Sequence, residues 1–245
     1  MTRRRWAADR VEGDRASLLG DHALHLSRVL RAQVGQEYDV ATPQGVRLGR
    51  IVSVEEGCVD FLLGDFLPNS TAPTPDITLA LAIFKFDRME WAIEKCAELG
   101  VAKIVPFVAA RSEKHLAQAA EKRAERWRRL VQQAAEQARQ ASPAEVADPL
   151  KFDQLLDQIQ APNTPTRIVL AESEKEHSLP HLLIPAKADP LCSVALAIGP
   201  EGGWTSGELR KFEESGWESA SLGPTILRAE TAAIAALAIT FSQLQ

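Results

Sequence analysis

The sequence predicts two domains: a small β-barrel or β-sandwich, then an α/β domain whose mainly parallel sheet is covered on both faces. Three observations predict it. Short β-like runs separated by tight turns fill the region before residue 68. The segment Pro68 to Pro75 then carries three prolines among small polar residues, with no hydrophobic periodicity, as an extended connector does. Beyond it, buried apolar runs of strand length alternate with helical patterns. The expected boundaries are a first domain over residues 1–68, a linker over 69–75 and a second domain over 76–245.

In the first domain a short helix is expected from Asp21 to Leu30, packed on strands from Glu37 to Ala41, Val46 to Val54 and Val59 to Leu63. Pro43-Gln44-Gly45 and Glu55-Glu56-Gly57 supply the turns between those strands. In the second domain Ile77 to Phe84 reads as a buried strand. Asp87 then reads as an N-cap with Glu90 three residues on, a capping-box pattern. Met89, Ile93, Cys96 and Ala97 follow at helical spacing, and Gly100 sits where a C′ residue ends a helix. Lys103 to Val108 is the next strand, and residues 116–139 form a long charged helix. Arg167 to Ala171 and Ser193 to Ile198 are further buried strands. Thr205-Ser206-Gly207-Glu208 is a second capping box, opening a helix that Gly216 closes. Glu218 to Leu222 returns as a strand and Glu230 to Leu244 as an Ala-rich last helix. Pro-containing stretches near 161–165 and 185–190 read as surface loops.

A chain of 245 residues with 45% hydrophobic and 25% charged residues has the composition of an ordinary soluble globular protein with a real core. The apolar runs stop far short of the ~20 residues that span a bilayer, so no membrane partner is expected. The basic start, Met1 to Trp6, has no apolar run after it, which argues against a secretory signal and for a cytoplasmic protein. Cys58, Cys96 and Cys192 lack paired spacing and read as small buried hydrophobes. His22 and His25 form the one close histidine pair, with no third ligand beside them, so no metal site is expected. Net charge is −5, yet its distribution is uneven. Residues 1–50 hold nine Arg against six acidic residues, and residues 111–140 hold eight Lys or Arg against four Glu. One reading is a surface that meets phosphate; the other is a solvated helix face.

Chemistry concentrates at two strand-to-helix junctions. In the first, the strand ending at Ile198 runs into Gly199-Pro200-Glu201-Gly202-Gly203, followed at once by a capped helix. Ligands in open α/β sheets sit at the carboxyl ends of strands, and glycines let backbone groups approach them closely. The spacing matches neither the phosphate loop nor the dinucleotide fingerprint. In the second, the strand ending at Leu222 leads into Gly223 to Thr231, with Arg228 and Glu230 at its mouth. Two such junctions bearing charges make a site candidate. The plainer alternatives are a tight turn at the first and an Arg228–Glu230 capping pair at the second.

Five ordered segments carry a resemblance. They are His25 to Gly35 (HLSRVLRAQVG), Asp87 to Val101 (DRMEWAIEKCAELGV), Arg126-Trp127 with Ala134 to Pro143 (AAEQARQASP), Ile198 to Gly203 (IGPEGG) and Leu222 to Ala232 (LGPTILRAETA). Together they resemble the RsmE family, the uridine-N3 methyltransferases of 16S ribosomal RNA within the SPOUT class. The resemblance covers essentially the whole chain. It implies an α/β fold with a C-terminal trefoil knot, preceded by a PUA-like β-barrel that helps hold RNA. It also implies a homodimer, S-adenosylmethionine as cofactor, and ribosomal RNA or the small ribosomal subunit as partner, with no DNA. Two positions depart from the family's habit: Thr225 stands where a basic residue is common, and Trp204 where an aliphatic residue or Phe is usual.

On that resemblance, Leu170, Ile198, Gly199, Pro200, Gly202, Gly203, Leu222, Ile226, Leu227 and Thr231 are expected to hold the cofactor, chiefly through backbone groups. N3 methylation needs stabilisation of charge developing on the uracil and loss of an imide proton. Arg228 is the first candidate for the former, because a guanidinium fork reaches a base oxygen or a phosphate. Glu230 or Glu201 is the candidate proton acceptor. For Glu201 the plain alternative is a side chain that satisfies loop N–H groups. Arg3, Arg4, Arg5, Arg28 and Arg31 are expected on the RNA backbone. Arg139, with Glu136 and Gln137, belongs either to the pocket or RNA surface or to an ordinary helix surface. The rival functions are another SPOUT methyltransferase, acting on tRNA or on a ribose 2′-oxygen, and a non-catalytic RNA-binding assembly factor.

Overall fold

A computed structural model describes residues 5–67, 75–138, 140, 142–160, 164, 166–186 and 193–244. The chain divides into two compact units, residues 1–72 with 136–142 and residues 73–135 with 143–245. Most of the expected linker over 69–75 lies outside the described residues.

In the first unit, strands β1 (Arg5–Ala7), β2 (Arg10–Glu12), β3 (Arg15–Leu19), β4 (Glu37–Thr42), β5 (Gly45–Glu55) and β6 (Cys58–Phe66) form one sheet ordered β1-β4-β5-β6-β3-β2. All neighbours are antiparallel except β1 on β4. Leu18, Leu26, Val40, Ile51, Val59 and Phe61 form its buried core. β4, β5 and β6 fall where period-2 alternation places them; β1 to β3 were not expected, because three to five residues with Arg at each start give alternation too little length. The expected helix over 21–30 is α1 (Gly20–Leu24), which relaxes into a π-helical turn, His25–Val29. Ser27 Oγ donates to the Ala23 carbonyl at 2.7 Å, a back-bond that accompanies such widening.

The second unit carries a wholly parallel sheet of β7 (Asp76–Ala82), β8 (Lys103–Val108), β9 (Glu145–Val146), β10 (Leu150–Lys151), β11 (Thr166–Leu170), β12 (Ser193–Ile198) and β13 (Glu218–Ala220). Its order is β10-β8-β7-β12-β11-β13, with β9 also on β8. Helices α2 (Phe86–Leu99), α3 (Lys114–Ala138), α4 (Phe152–Gln158), α5 (Leu179–Leu182), α6 (Ser206–Glu214) and α7 (Ala229–Leu244) complete it. Alternation along β7 explains the layering. Ile77, Leu79 and Leu81 pack with Met89 and Ile93 of α2 and Leu237 of α7, whereas Ala80 and Ala82 face the other side with Phe107, Leu155 and Phe212. No helix among the described residues is long and apolar enough to cross a membrane.

Two local expectations change, and one short helix was not expected. Asp87 is not an N-cap: α2 begins at Phe86 after Lys85, and Asp87 sits in the first turn, where a carboxylate still favours the helix N-terminus. Phe86 is pulled into the helix by its edge contact with Trp127, and Glu90 turns away from the helix start to pair with Arg123 at 3.2 Å and Arg126 at 2.8 Å. Those pairs, with Arg128 on Glu125 and Asp148, absorb much of the positive surplus of α3. α4 was missed, since its seven residues offer two helical turns at most. By contrast, Gly100 ends α2 at φ 100°, and the Thr205–Glu208 capping box is formed.

Candidate active site

The carboxyl ends of β11, β12 and β13 lie side by side. Parallel pairing runs as far as Val169–Ala197 on one side of β11 and Leu170–Ala220 on the other; past those residues the three chains leave the sheet as loops. A cleft of about 560 Å³ opens between them, walled by residues 170–173, 198–204, 220–223 and 225–229 with Arg88, Arg111, Leu209 and Ala232. That volume is in the range of small-molecule sites.

The first glycine junction is shaped by contacts that exclude side chains. Gly203 has φ 67° and its N–H donates to the Pro200 carbonyl at 2.8 Å, closing a tight turn. A Cβ on Gly199 would meet the Trp204 ring at 3.0 Å, and one on Gly202 would meet the Arg111 Cβ at 3.2 Å. Trp204 fixes the neighbouring strand end: its Nε1–H donates to the Leu170 carbonyl at 2.8 Å, with the ring stacked on Phe107 and edge-on to Phe212. Such a cradle offers a ligand backbone groups at close approach rather than side-chain charge.

The second junction runs from Ser221 through Gly223, at φ 121°, to the first turn of α7. Ile226 is 79% exposed on this loop, an apolar side chain at the cleft. A third loop braces the wall. Ser221 N–H donates to the His177 carbonyl at 2.9 Å, and Glu174 accepts the N–H groups of Glu176 at 2.7 Å and His177 at 3.0 Å. Those bonds, that from His177 first, hold the Glu174 carboxyl below the usual carboxylate range.

Charge at the cleft is organised by α2. Arg88 Nη1 donates to Glu201 Oε1 at 2.6 Å, and its Nε lies 3.9 Å from Glu230 Oε1. Lys85 Nζ approaches the other Glu201 oxygen at 3.9 Å. Glu230 is buried in the first turn of α7, and its Oε2 has no hydrogen-bond partner among the described residues.

Residues 71–241 match the family model of the RNA methyltransferase domain. The ribosomal RNA small subunit methyltransferase E of Bacillus subtilis is 30% identical over 224 residues, covering 90% of this chain and 87% of that protein. That of Synechocystis is 34% identical over 223 residues, covering 87% of this chain and 68% of that protein. The chain belongs to the ribosomal RNA small subunit methyltransferase E family. Within this RsmE family, the Neisseria gonorrhoeae protein, solved bound to S-adenosyl methionine, matches the fold at a TM-score of 0.70 and 26% identity, over 97% of this chain and 95% of that one.

Of the cofactor residues expected for an RsmE protein, Leu170, Ile198, Gly199, Pro200, Gly202, Gly203, Leu222, Ile226 and Leu227 all line the cleft, whereas Thr231 is exposed outside it. Glu201 and Arg228 line it too, while Glu230 is not among the lining residues and lies 3.9 Å from the Arg88 Nε. Arg5, Arg28 and Arg31 are exposed in the first unit, Arg28 paired with Glu56 and Arg31 at φ 52°. Arg3, Arg4 and Arg139 lie outside the described residues. Arg88, Arg111 and the bracing role of Trp204 were missed. Arg111 was findable, since it stands three residues past the carboxyl end of β8. Arg88 was not, since only tertiary packing brings the start of α2 to the glycine loop.

Proposed function

We propose that this chain transfers a methyl group from S-adenosylmethionine to N3 of a specific uridine in 16S ribosomal RNA. The observation that carries this reading is the cleft built from two adjacent glycine junctions in a chain of the RsmE family. When bound, the cofactor supplies the electrophilic methyl group. Backbone groups at Leu170, Ile198 to Gly203 and Leu222 to Leu227 hold its adenosine part, and the exposed Ile226 covers the base. Arg228, exposed at the mouth, steadies negative charge developing on the uracil. Glu201 accepts the N3 proton, directly or through water; its place on the cleft wall supports it over Glu230, which is not among the lining residues.

In the same reading, residues 1–68 are a PUA-like RNA-binding barrel, 69–75 a linker and 76–245 a SPOUT domain with a trefoil knot near the C-terminus. Arg3, Arg4, Arg5, Arg28, Arg31 and Arg139 contact the RNA backbone. The protein works in the cytoplasm as a homodimer, on the small ribosomal subunit or its RNA, without a membrane or DNA partner. Calorimetric titration with S-adenosylmethionine, followed by methyl transfer to free 16S RNA and to isolated small subunits, tests this. Cofactor binding with transfer to either substrate supports the reading; RNA binding without cofactor binding replaces it with an assembly factor.

A further inference from the structure

Arg111 lines the cleft and is exposed, and the cofactor-binding and proton-transfer roles proposed above do not use its side chain. It follows β8 rather than either glycine junction. Its Nη1 donates to the Gly202 carbonyl at 2.7 Å, and its side-chain stem lies against Gly202, where a Cβ would meet the Arg111 Cβ at 3.2 Å and its Cδ at 3.4 Å. The guanidinium is therefore held in place before any ligand arrives. Its partner is a neutral carbonyl, and among the described residues no carboxylate pairs with it, whereas Arg88 in the same cleft is tied to Glu201. An exposed, anchored guanidinium with unused N–H donors and no counter-charge is a ready anion receptor, and its planar fork suits a phosphodiester.

We propose that Arg111 binds the phosphodiester beside the target uridine and so sets the nucleotide in register with Arg228. The inference rests on the RNA-methylation reading above. Arg111 is exposed and follows β8, whereas the backbone groups read above as holding the cofactor follow β11, β12 and β13, and this favours RNA over the cofactor's own carboxylate. The glycine turn does not depend on Arg111, since Gly203 closes onto Pro200 by itself at 2.8 Å.

The test compares wild type with Arg111→Gln and Arg111→Lys, measuring S-adenosylmethionine affinity by calorimetry and steady-state methyl transfer to 16S RNA or small subunits at several salt concentrations. Arg111→Gln is expected to raise KM for RNA about tenfold and to reduce the salt slope by the share of about one phosphate. Cofactor affinity is expected to change less than KM for RNA, because Gly203 closes the turn onto Pro200 without Arg111. Arg111→Lys, keeping the charge without the fork, recovers the salt slope and part of the affinity. Weakened cofactor binding with unchanged KM for RNA would overturn the proposal in favour of the cofactor carboxylate, and unchanged values throughout would overturn it outright. If wild type transfers no methyl group to RNA, the functional reading itself fails, and this inference with it.

Discussion

Arg88 joins the two glycine junctions: its Nη1 lies 2.6 Å from Glu201 on the first, and its Nε 3.9 Å from Glu230 on the second. A residue at the start of α2 thereby organises charge that two other segments bring to the cleft. Glu230 is buried, its Oε2 has no hydrogen-bond partner among the described residues, and Arg88 faces its other oxygen, so the guanidinium stands beside a carboxylate that water scarcely reaches.

Arg88→Met is expected to lower stability by about 1–3 kcal/mol in urea denaturation, because a buried carboxylate loses its counter-charge. Adding Glu230→Gln should recover much of that loss, since a neutral amide needs no cation. Strictly additive losses in the double variant would show that the two side chains are not coupled.

Trp204→Phe keeps an aromatic ring against Phe107 and Phe212 but removes the donor to the Leu170 carbonyl. A loss of about 1 kcal/mol of stability is expected. Calorimetry should also find weaker cofactor binding, because the end of β11 is no longer tied to the glycine loop. Trp204→Leu, which also removes the ring stack, should weaken binding further.

Gly203 has φ 67°, so Gly203→Ala should cost about 1–2 kcal/mol and weaken cofactor binding. Gly207, in the first turn of α6, has ordinary φ and open space where a Cβ would go. Gly207→Ala should therefore be neutral or stabilising by up to about 1 kcal/mol, without effect on the cofactor. Thermal unfolding with and without S-adenosylmethionine separates the two.

Glu174 carries an acid dependence. Its carboxyl is lowered in the folded state by the N–H groups of His177 and Glu176, so its stabilisation is complete above the unfolded carboxylate value of about 4 and fades as pH falls through the lower folded value. Because His177 also accepts from Ser221, acid should loosen the cleft wall. Glu174→Gln should flatten the acid limb of a stability–pH curve measured in urea; an unchanged limb would remove Glu174 from that role.

The parallel sheet and both glycine junctions were legible because they rest on local pattern: apolar runs at Ile77, Ser193 and Arg167, then glycines at strand ends. Arg88 was not, since its importance comes from a segment more than 90 residues away in sequence meeting it at one cleft, and Arg111 was marked only by its place past the end of β8, not by its contact with Gly202. Asp87 misled because a capping-box spacing says nothing of the competing pull on Glu90 from Arg123 and Arg126, or on Phe86 from Trp127. Likewise the surplus charge of α3 counted residues whose partners, Glu90 and Asp148, lie on other segments.

In the proposed reaction the cleft at Gly199–Gly203 and Leu222–Leu227 directs a methyl group onto N3 of a uridine. The most direct test incubates small subunits or 16S RNA with the protein and isotope-labelled S-adenosylmethionine, digests the RNA to nucleosides and identifies the labelled one. Label in N3-methyluridine, at a rate cut sharply by Gly203→Ala, is the expected result. Label on a ribose, on another base or in no nucleoside at all would contradict it.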